Sequence, residues 1–248
     1  MKKILGVIPA RLASMRLKEK LLLPINGKPL IYYTWRQALL AKSLDRVIIA
    51  TDSEKIHAAA VAFGADVVMT SATALTGTDR VAEAAQAFTD FIPSIVVNIQ
   101  GDEPLLPPAA IDACVDALLK NKDVSMSTTA SPLSFLEAGS PSVVKVVCDI
   151  NGRALYFSRA RIPHPRNPHK GYLRHNGLYA FRRPFLVVYV GLPQTPLELI
   201  ESLEQLRALE NGYAIQVVVG EFVSIGVDIL SDFKQVKKIL LSGIAPIK

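Results

Sequence analysis

Short apolar runs without internal alternation recur along the chain, each followed by a longer stretch with helical spacing. Residues 4–8 (ILGVI), 46–50 (RVIIA), 67–69 (VVM) and 95–99 (IVVNI) are such runs. Apolar strands of this kind are the ones buried on both faces of a parallel sheet. Between them, residues 29–41, 55–63 and a segment from about Arg80 (RVAEAAQAF) read as helices. Their ends are marked by Pro29 at a first helical position, Thr51-Asp52-Ser53 as a cap and Gly64 as a terminator. Strand and helix alternating at this spacing predict an α/β fold with a doubly wound, mostly parallel sheet.

The rhythm changes in the second half. Residues 107–120 read as a helix, and 124–130 as a strand. Residues 143–148 and 154–157 read as two strands joined by a type I′ turn at Asn151-Gly152. This antiparallel hairpin predicts an edge extension or small subdomain, at about 131–182, within a chain otherwise read as one domain, 1–248. Within it, residues 162–170 (IPHPRNPHK) are proline-rich and predict an exposed irregular loop that orders on ligand. Thr195-Pro196-x-Glu198 is a capping box opening a helix that closes at Asn211-Gly212. On its wheel Leu199, Ile200, Leu203 and Leu206 share an apolar arc, while Glu198, Glu201 and Gln205 share another that reads as a solvated face. Arg207 falls in the apolar arc, which points to cover on more than one side, a partner subunit included. Residues 216–220 and 223–228 read as late strands, the second with Asp228 at its end, and a last helix starts near Ser231.

Composition narrows the class. A length of 248 residues suits one large α/β domain, alone or with a smaller appendage. Half the residues are hydrophobic and 20% charged, which supplies a sizeable core and argues against disorder. A formal net charge of +6 suits a polyanionic ligand. Because the basic residues are scattered and lack interleaved aromatics, a nucleotide fits better than nucleic acid. Cys114 and Cys148 stand outside any paired or metal-ligand spacing and are expected as buried small residues of a reduced, cytoplasmic chain. Lys2 and Lys3 ahead of ILGVI imitate the start of a signal peptide, but Arg11 ends the apolar stretch too early. No apolar run approaches about 18 residues, so no membrane span is expected.

Candidate chemistry starts in the loop after the first run. There Arg11, Arg16, Lys18 and Lys20 are spaced among Ala10, Ala13 and Ser14. Small residues let backbone N–H groups approach a ligand, and spaced cations answer several negative charges together. The loop reads either as a polyphosphate cradle or as a solvated basic loop. Neither G-x-G-x-x-G nor G-x-x-x-x-G-K-[ST] occurs, which excludes the dinucleotide fingerprint and the P-loop. The run at 95–99 leads into Gln100-Gly101-Asp102-Glu103-Pro104, so Asp102 is expected at the carboxyl end of a central strand, in the crevice of the basic loop. Mg²⁺ is commonly held by one or two carboxylates plus substrate phosphates, which makes Asp102 a candidate ligand. The alternative is an aspartate of an ordinary turn.

The segments IPARLASMRLKEKLLLPINGKPL, TDS, GTDR, NIQGDEP, VKVVCDINGRALYFSRARIP, LRHNGLYAFRR, LEQLR and GVD occur in the order found in CMP-Kdo synthetases. From residue 4 to about 236 the chain resembles this family, the 3-deoxy-manno-octulosonate cytidylyltransferases. The resemblance implies a Rossmann-like nucleotide-diphospho-sugar transferase fold, mostly parallel with a small antiparallel extension, and a cytoplasmic homodimer. It also implies Mg²⁺ and the formation of CMP-Kdo and pyrophosphate from CTP and Kdo, for lipopolysaccharide biosynthesis, with no nucleic-acid or membrane partner. Carried over by motif, Arg11, Ser14 and Lys20 would hold the triphosphate, with Ala10 and Arg16 in the same segment, and Thr78 and Arg80 would lie by the cytidine. Asp102 and Asp228 would bind Mg²⁺. Gln100, Arg159, His175, Glu201 and Gln205 would face the sugar acid. Arg11, Lys20, Asp102 and Asp228 are the catalytic candidates. For Glu201 and Gln205 the resemblance replaces the solvated-face reading, and for His175 it replaces a structural role.

The chain departs from that family at two points. Where the family's loop reads R-L-P-G-K-P-L, here Arg16-Leu17-Lys18-Glu19-Lys20-Leu21-Leu22 stands. Glu19 in place of Gly removes backbone freedom and sets an anion beside the triphosphate, with Lys18 as its offset. GVDILSD replaces G-V-D-T-P-E-D, which keeps Asp228 and changes the turn after it. Weaker CTP binding, or a loop that closes differently, is expected. Competing readings are a different sugar acid (an 8-amino Kdo analogue or a sialic acid), a catalytically silent nucleotide-binding subunit, and nucleic-acid binding on charge alone.

Overall fold

The computed structural model describes residues 3–13, 16–74, 76–167 and 171–242; Ser14, one of the triphosphate candidates, lies outside them, as does the end of the 162–170 loop. The chain folds into two compact units, one made of residues up to Asp112 and from Val223 onward, the other of Ala113–Phe222.

The first unit opens with β1 (Ile4–Ala10), the small hairpin β2 (Pro24–Ile25) and β3 (Lys28–Pro29), and α1 (Leu30–Ala38). Then come β4 (Arg46–Thr51), α2 (Glu54–Ala62), β5 (Asp66–Met69), α3 (Gly77–Gln86) and β6 (Ile95–Asn98). Strands β6, β1, β4 and β5 lie side by side in that order, all parallel, with Ile4 opposite Ile95 and Leu5 opposite Arg46. Three of the four apolar runs are buried as their lack of alternation predicts: Leu5, Val7, Ile8, Ile48, Ile49, Val96 and Val97 are wholly inaccessible. The run at 67–69 is not, because β5 pairs on one side only: Val67 and Val68 are half-buried and Met69 is exposed. Strand β1 runs through Pro9 to Ala10, two residues beyond the apolar run at 4–8. Val7 turns its carbonyl toward the β6 side, where Ile99 N–H donates to it at 2.9 Å, so Pro9, two residues on, also faces that side. There β6 has already ended at Asn98, and the missing N–H of Pro9 forfeits no ladder bond.

The boundary between the units falls within α4 (Pro108–Lys120). The second unit continues with β7 (Met126–Leu133), β8 (Lys145–Cys148), β9 (Ala154–Ser158), β10 (Tyr172–Arg182), α5 (Arg183–Gly191), α6 (Pro196–Glu201), α7 (Leu206–Glu210) and β11 (Ile215–Val219). Strand β10 runs antiparallel to β7, with a bulge between Asn176 and Tyr179, and β8 is antiparallel to both β9 and β10. Strand β11 is parallel to β7. The last helix, α8 (Leu230–Leu241), belongs to the first unit. The protein is thus a mixed α/β structure with a parallel sheet and a smaller antiparallel part, as the hydrophobic pattern predicts.

Five local expectations are corrected. The β8–β9 connection is not a type I′ turn: Gly152 has φ +75° but Asn151 stays at negative φ, and the Asp149 carboxylate closes a longer loop by accepting from Asn151 and Arg153 N–H at 2.8 Å each. The helix expected over 195–212 is two, α6 and α7, because Ser202 adopts the left-handed conformation (φ 52°) and Leu203 N–H turns back to Glu198 O at 3.1 Å. A single helical wheel therefore misplaces every residue beyond Ser202. Arg207 is buried by the same chain: it forms a bidentate pair with Glu198 (2.5 and 2.8 Å) and lies 5.3 Å from the Tyr189 ring centre. Residues 223–228 form no strand. Cys114 is buried, but Cys148 is partly exposed; both are free thiols. Among the described residues no helix is long and apolar enough to cross a membrane.

Candidate active site

In the first unit the carboxyl ends of the parallel strands carry the charged groups. A cleft of about 820 Å³ is lined there by residues that include Arg11, Ala13, Lys18, Glu19, Asp52, Ser53 and Arg80. Ala10 is the buried last residue of β1, and Arg11 just beyond it donates from Nη2 to Ala74 O at 2.5 Å. Arg80 is wholly buried on α3; its Nη2 lies 3.0 Å from Asp52 Oδ2, and its Nη1 donates to Thr70 Oγ1. The Nε atoms of Arg11 and Arg80 are buried without an acceptor among the described residues. Thr78, also buried on α3, accepts from Asn98 Nδ2 at 3.3 Å.

Beside that cleft three groups from remote parts of the chain converge. Lys20 Nζ lies 2.5 Å from Asp102 Oδ2 and 3.1 Å from Asp228 Oδ1, and Arg16 Nη2 lies 3.1 Å from Asp228 Oδ2. Two backbone features bring the aspartates together. Gly101 allows the turn after β6 to approach β1, since a Cβ there would stand only 3.1 Å from Pro9 O. Val227 N–H then donates to Asp102 O at 2.9 Å, which sets Asp228 beside Asp102. The N–H groups of Asp228 and Ile229 donate to Asp232 Oδ2 at 3.0 Å each, fixing this segment at the start of α8. Burial opposes the charge on Lys20, yet the facing carboxylates of Asp102 and Asp228 outweigh it and hold its pKa above the ordinary lysine value. Gln100 sits between β6 and this turn and is partly buried.

The other sugar-acid candidates lie in the second unit. Glu201 is no solvated side chain: Oε1 accepts from Ser158 Oγ at 2.6 Å and Oε2 from Arg159 N–H at 2.9 Å. Arg159 Nε donates to Glu201 O at 2.8 Å. Gln205 is 2% exposed, and its Nε2 finds no partner among the described residues. His175 is buried on β10, with Nε2 3.0 Å from Thr128 Oγ1 and the Phe157 ring edge-on at 4.8 Å. Burial alone pushes its pKa down to about 3, so it is a neutral imidazole.

A family model described as cytidylyltransferase matches residues 5–221. A 3-deoxy-manno-octulosonate cytidylyltransferase of Solibacter usitatus is 49% identical over 246 residues, covering 98% of this chain and 96% of that protein. One of Syntrophotalea carbinolica is 46% identical over 245 residues, covering 94% of this chain and 97% of that one. The chain belongs to the 3-deoxy-manno-octulosonate cytidylyltransferase family. Among solved structures, a CMP:2-keto-3-deoxy-manno-octonic acid synthetase complexed with CTP is 37% identical and superposes with a TM-score of 0.93, covering 98% of this chain and 100% of that one.

Seen as a cytidylyltransferase, the acidic pair can be tested as a Mg²⁺ site. Its donors are carboxylate oxygens held by one lysine between them, and they remain partly accessible, at 28% for Asp102 and 49% for Asp228. No group of three or more His, Cys, Asp or Glu suited to a metal occurs among the described residues. Two hard oxygen donors with open sides match an ion that completes its shell with phosphate and water, so the residues fit Mg²⁺.

Sequence reasoning missed the partner of Glu19. That residue does sit in a left-handed conformation (φ 49°), which a glycine would adopt without strain. Its carboxylate, however, pairs with Lys55 on α2 at 2.9 Å, and this contact, more than the neighbouring Lys18, lowers its pKa. Asp52 and Ser53, expected only as a helix cap, also line the cleft. Their position beyond the end of a parallel strand was the available signal.

Proposed function

We propose that this protein transfers CMP from CTP to the anomeric hydroxyl of Kdo, giving CMP-Kdo and pyrophosphate. The hydroxyl attacks the α-phosphorus in line and pyrophosphate leaves. Catalysis of this kind is mainly positioning and charge neutralisation. Arg11, Arg16 and Lys20 answer the triphosphate charge, and Arg80 and Thr78 border the cytidine. Asp102 and Asp228 would hold Mg²⁺, which when bound supplies charge neutralisation at the phosphates and a more reactive nucleophile. Gln100, Arg159, His175, Glu201 and Gln205 orient the sugar acid, His175 as an uncharged hydrogen-bonding group. A homodimer, a cytoplasmic location and a part in lipopolysaccharide biosynthesis belong to the same proposal and rest on the family resemblance.

The observation that carries the reading, within a family of this activity, is the meeting of Lys20, Asp102 and Asp228 at hydrogen-bond distance across 82 and 208 residues of chain. Its test is pyrophosphate release with each nucleoside triphosphate, with and without Kdo and Mg²⁺. Release is expected only with CTP, Kdo and Mg²⁺ together. Release with a sialic acid or an 8-amino analogue and not with Kdo would reassign the substrate, and CTP binding without release in any mixture would mark a silent subunit.

A further inference from the structure

Lys145, on β8, is fully buried, and no carboxylate among the described residues touches its ammonium. Nζ donates instead to three backbone carbonyls: Ser140 O at 2.9 Å, Val143 O at 2.6 Å and Arg159 O at 2.5 Å. Burying an ammonium is costly even when carbonyls surround it, and an apolar side chain of the same length would fill the space more cheaply. The reason for keeping the cation lies in what its acceptors hold.

The backbone of Arg159 is gripped at both polar atoms by charged side chains. Its carbonyl is held by Lys145 and its N–H by Glu201 Oε2 at 2.9 Å. Its guanidinium ties the same segments together, donating to Glu201 O at 2.8 Å, Pro141 O at 3.2 Å and Ser202 O at 3.4 Å. A guanidinium has five N–H donors, so donors remain for a ligand carboxylate. Glu201, Arg159 and Arg161 each lie within electrostatic range of Lys145, so the charges around it include more cations than anions. Such a surplus suits an anionic sugar.

We infer that Lys145 is a positioning residue for Arg159: it pins the Arg159 carbonyl to the 140–143 loop, Glu201 pins the N–H, and together they aim the guanidinium at the carboxylate of the sugar acid. This rests on the reading of Arg159 and Glu201 as sugar-acid residues.

The test compares wild type with Lys145→Met, measuring KM for Kdo and for CTP, kcat, and amide hydrogen exchange at residues 140–144 and 159–161. The Met variant is expected to raise KM for Kdo at least about tenfold, with KM for CTP changed less than about twofold, since small misplacement of a positioning group is costly. Amide protection in the two segments falls with it. An unchanged KM for Kdo, or an equal rise in both constants, overturns the inference. If Lys145→Met does not fold, Lys145→Arg, which keeps the charge but not the geometry, is read by the same split in KM. If wild type makes no product from Kdo, the functional reading fails by itself. The exchange data then decide the role of Lys145 separately, and unaltered protection at 159–161 overturns it.

Discussion

Lys20 and Lys145 are both shielded lysines, and the difference between them separates the two halves of the proposed reaction. Lys20 faces two carboxylates and remains partly accessible, whereas Lys145 faces three carbonyls and is wholly enclosed. A cation paired with carboxylates can be exchanged: phosphate competes for the lysine and another cation for the aspartates. A cation surrounded by backbone carbonyls has nothing to exchange and serves to hold the chain. Their titration differs accordingly. The pKa of Lys20 lies above its ordinary value and that of Lys145 below it, because burial prevails where no carboxylate makes contact. Lys20 therefore stabilises the fold fully below pH 10.5, and that contribution fades as pH rises through its folded value.

The contrast would break most visibly at Asp102. Asp102→Asn should lower kcat/KM about 10³-fold, because the lost carboxylate would hold the Mg²⁺ that neutralises the reacting phosphates, while the melting temperature falls only slightly, because Asp228 still faces Lys20. Steady-state kinetics and a thermal melt check both, and near-normal turnover would remove Asp102 from the metal site. A smaller effect is expected at the loop that carries Lys20. Lys55→Met exposes the phosphates to an uncompensated Glu19 and should raise KM for CTP about fivefold. Glu19→Gly should lower it by a similar factor, and the double variant should resemble Glu19→Gly alone, as a pair acting through one carboxylate requires. Equal and additive effects in that cycle would show that Lys55 acts independently of Glu19.

The smallest effect concerns the buried, uncharged side of the second unit. The folded protein keeps His175 neutral down to about pH 3, while the unfolded chain protonates it near 6.5. Its contribution to stability is thus complete above pH 6.5 and declines as pH falls toward 3. In His175→Gln, denaturant unfolding should lose part of its pH dependence in that window. An unchanged slope would mean that other groups dominate acid unfolding.

The periodicity of the first half was directly legible, because fully buried parallel strands leave unalternated apolar runs that few other structures produce. The second half was less so. β10 mixes Arg174, His175 and Asn176 with apolar residues and escapes any simple pattern, and the break at Ser202 carries no glycine to announce it. Lys145 did leave a trace, a single charge inside VVKVVC, but a strand charge can equally face water. Glu19 was readable as an anion in the wrong place; its neutralisation by Lys55 was not, since the two are 36 residues apart.

By itself, then, the sequence determined the alternation of strands and helices, the cationic loop after β1 and the carboxylates that end two distant segments. These depend on local spacing and residue chemistry. Only the tertiary structure decided that Asp102 and Asp228 share one lysine, that Glu198 answers Arg207, and that Lys145 holds Arg159 through its carbonyl. Those choices depend on backbone contacts such as Val227 to Asp102, which no one-dimensional pattern encodes.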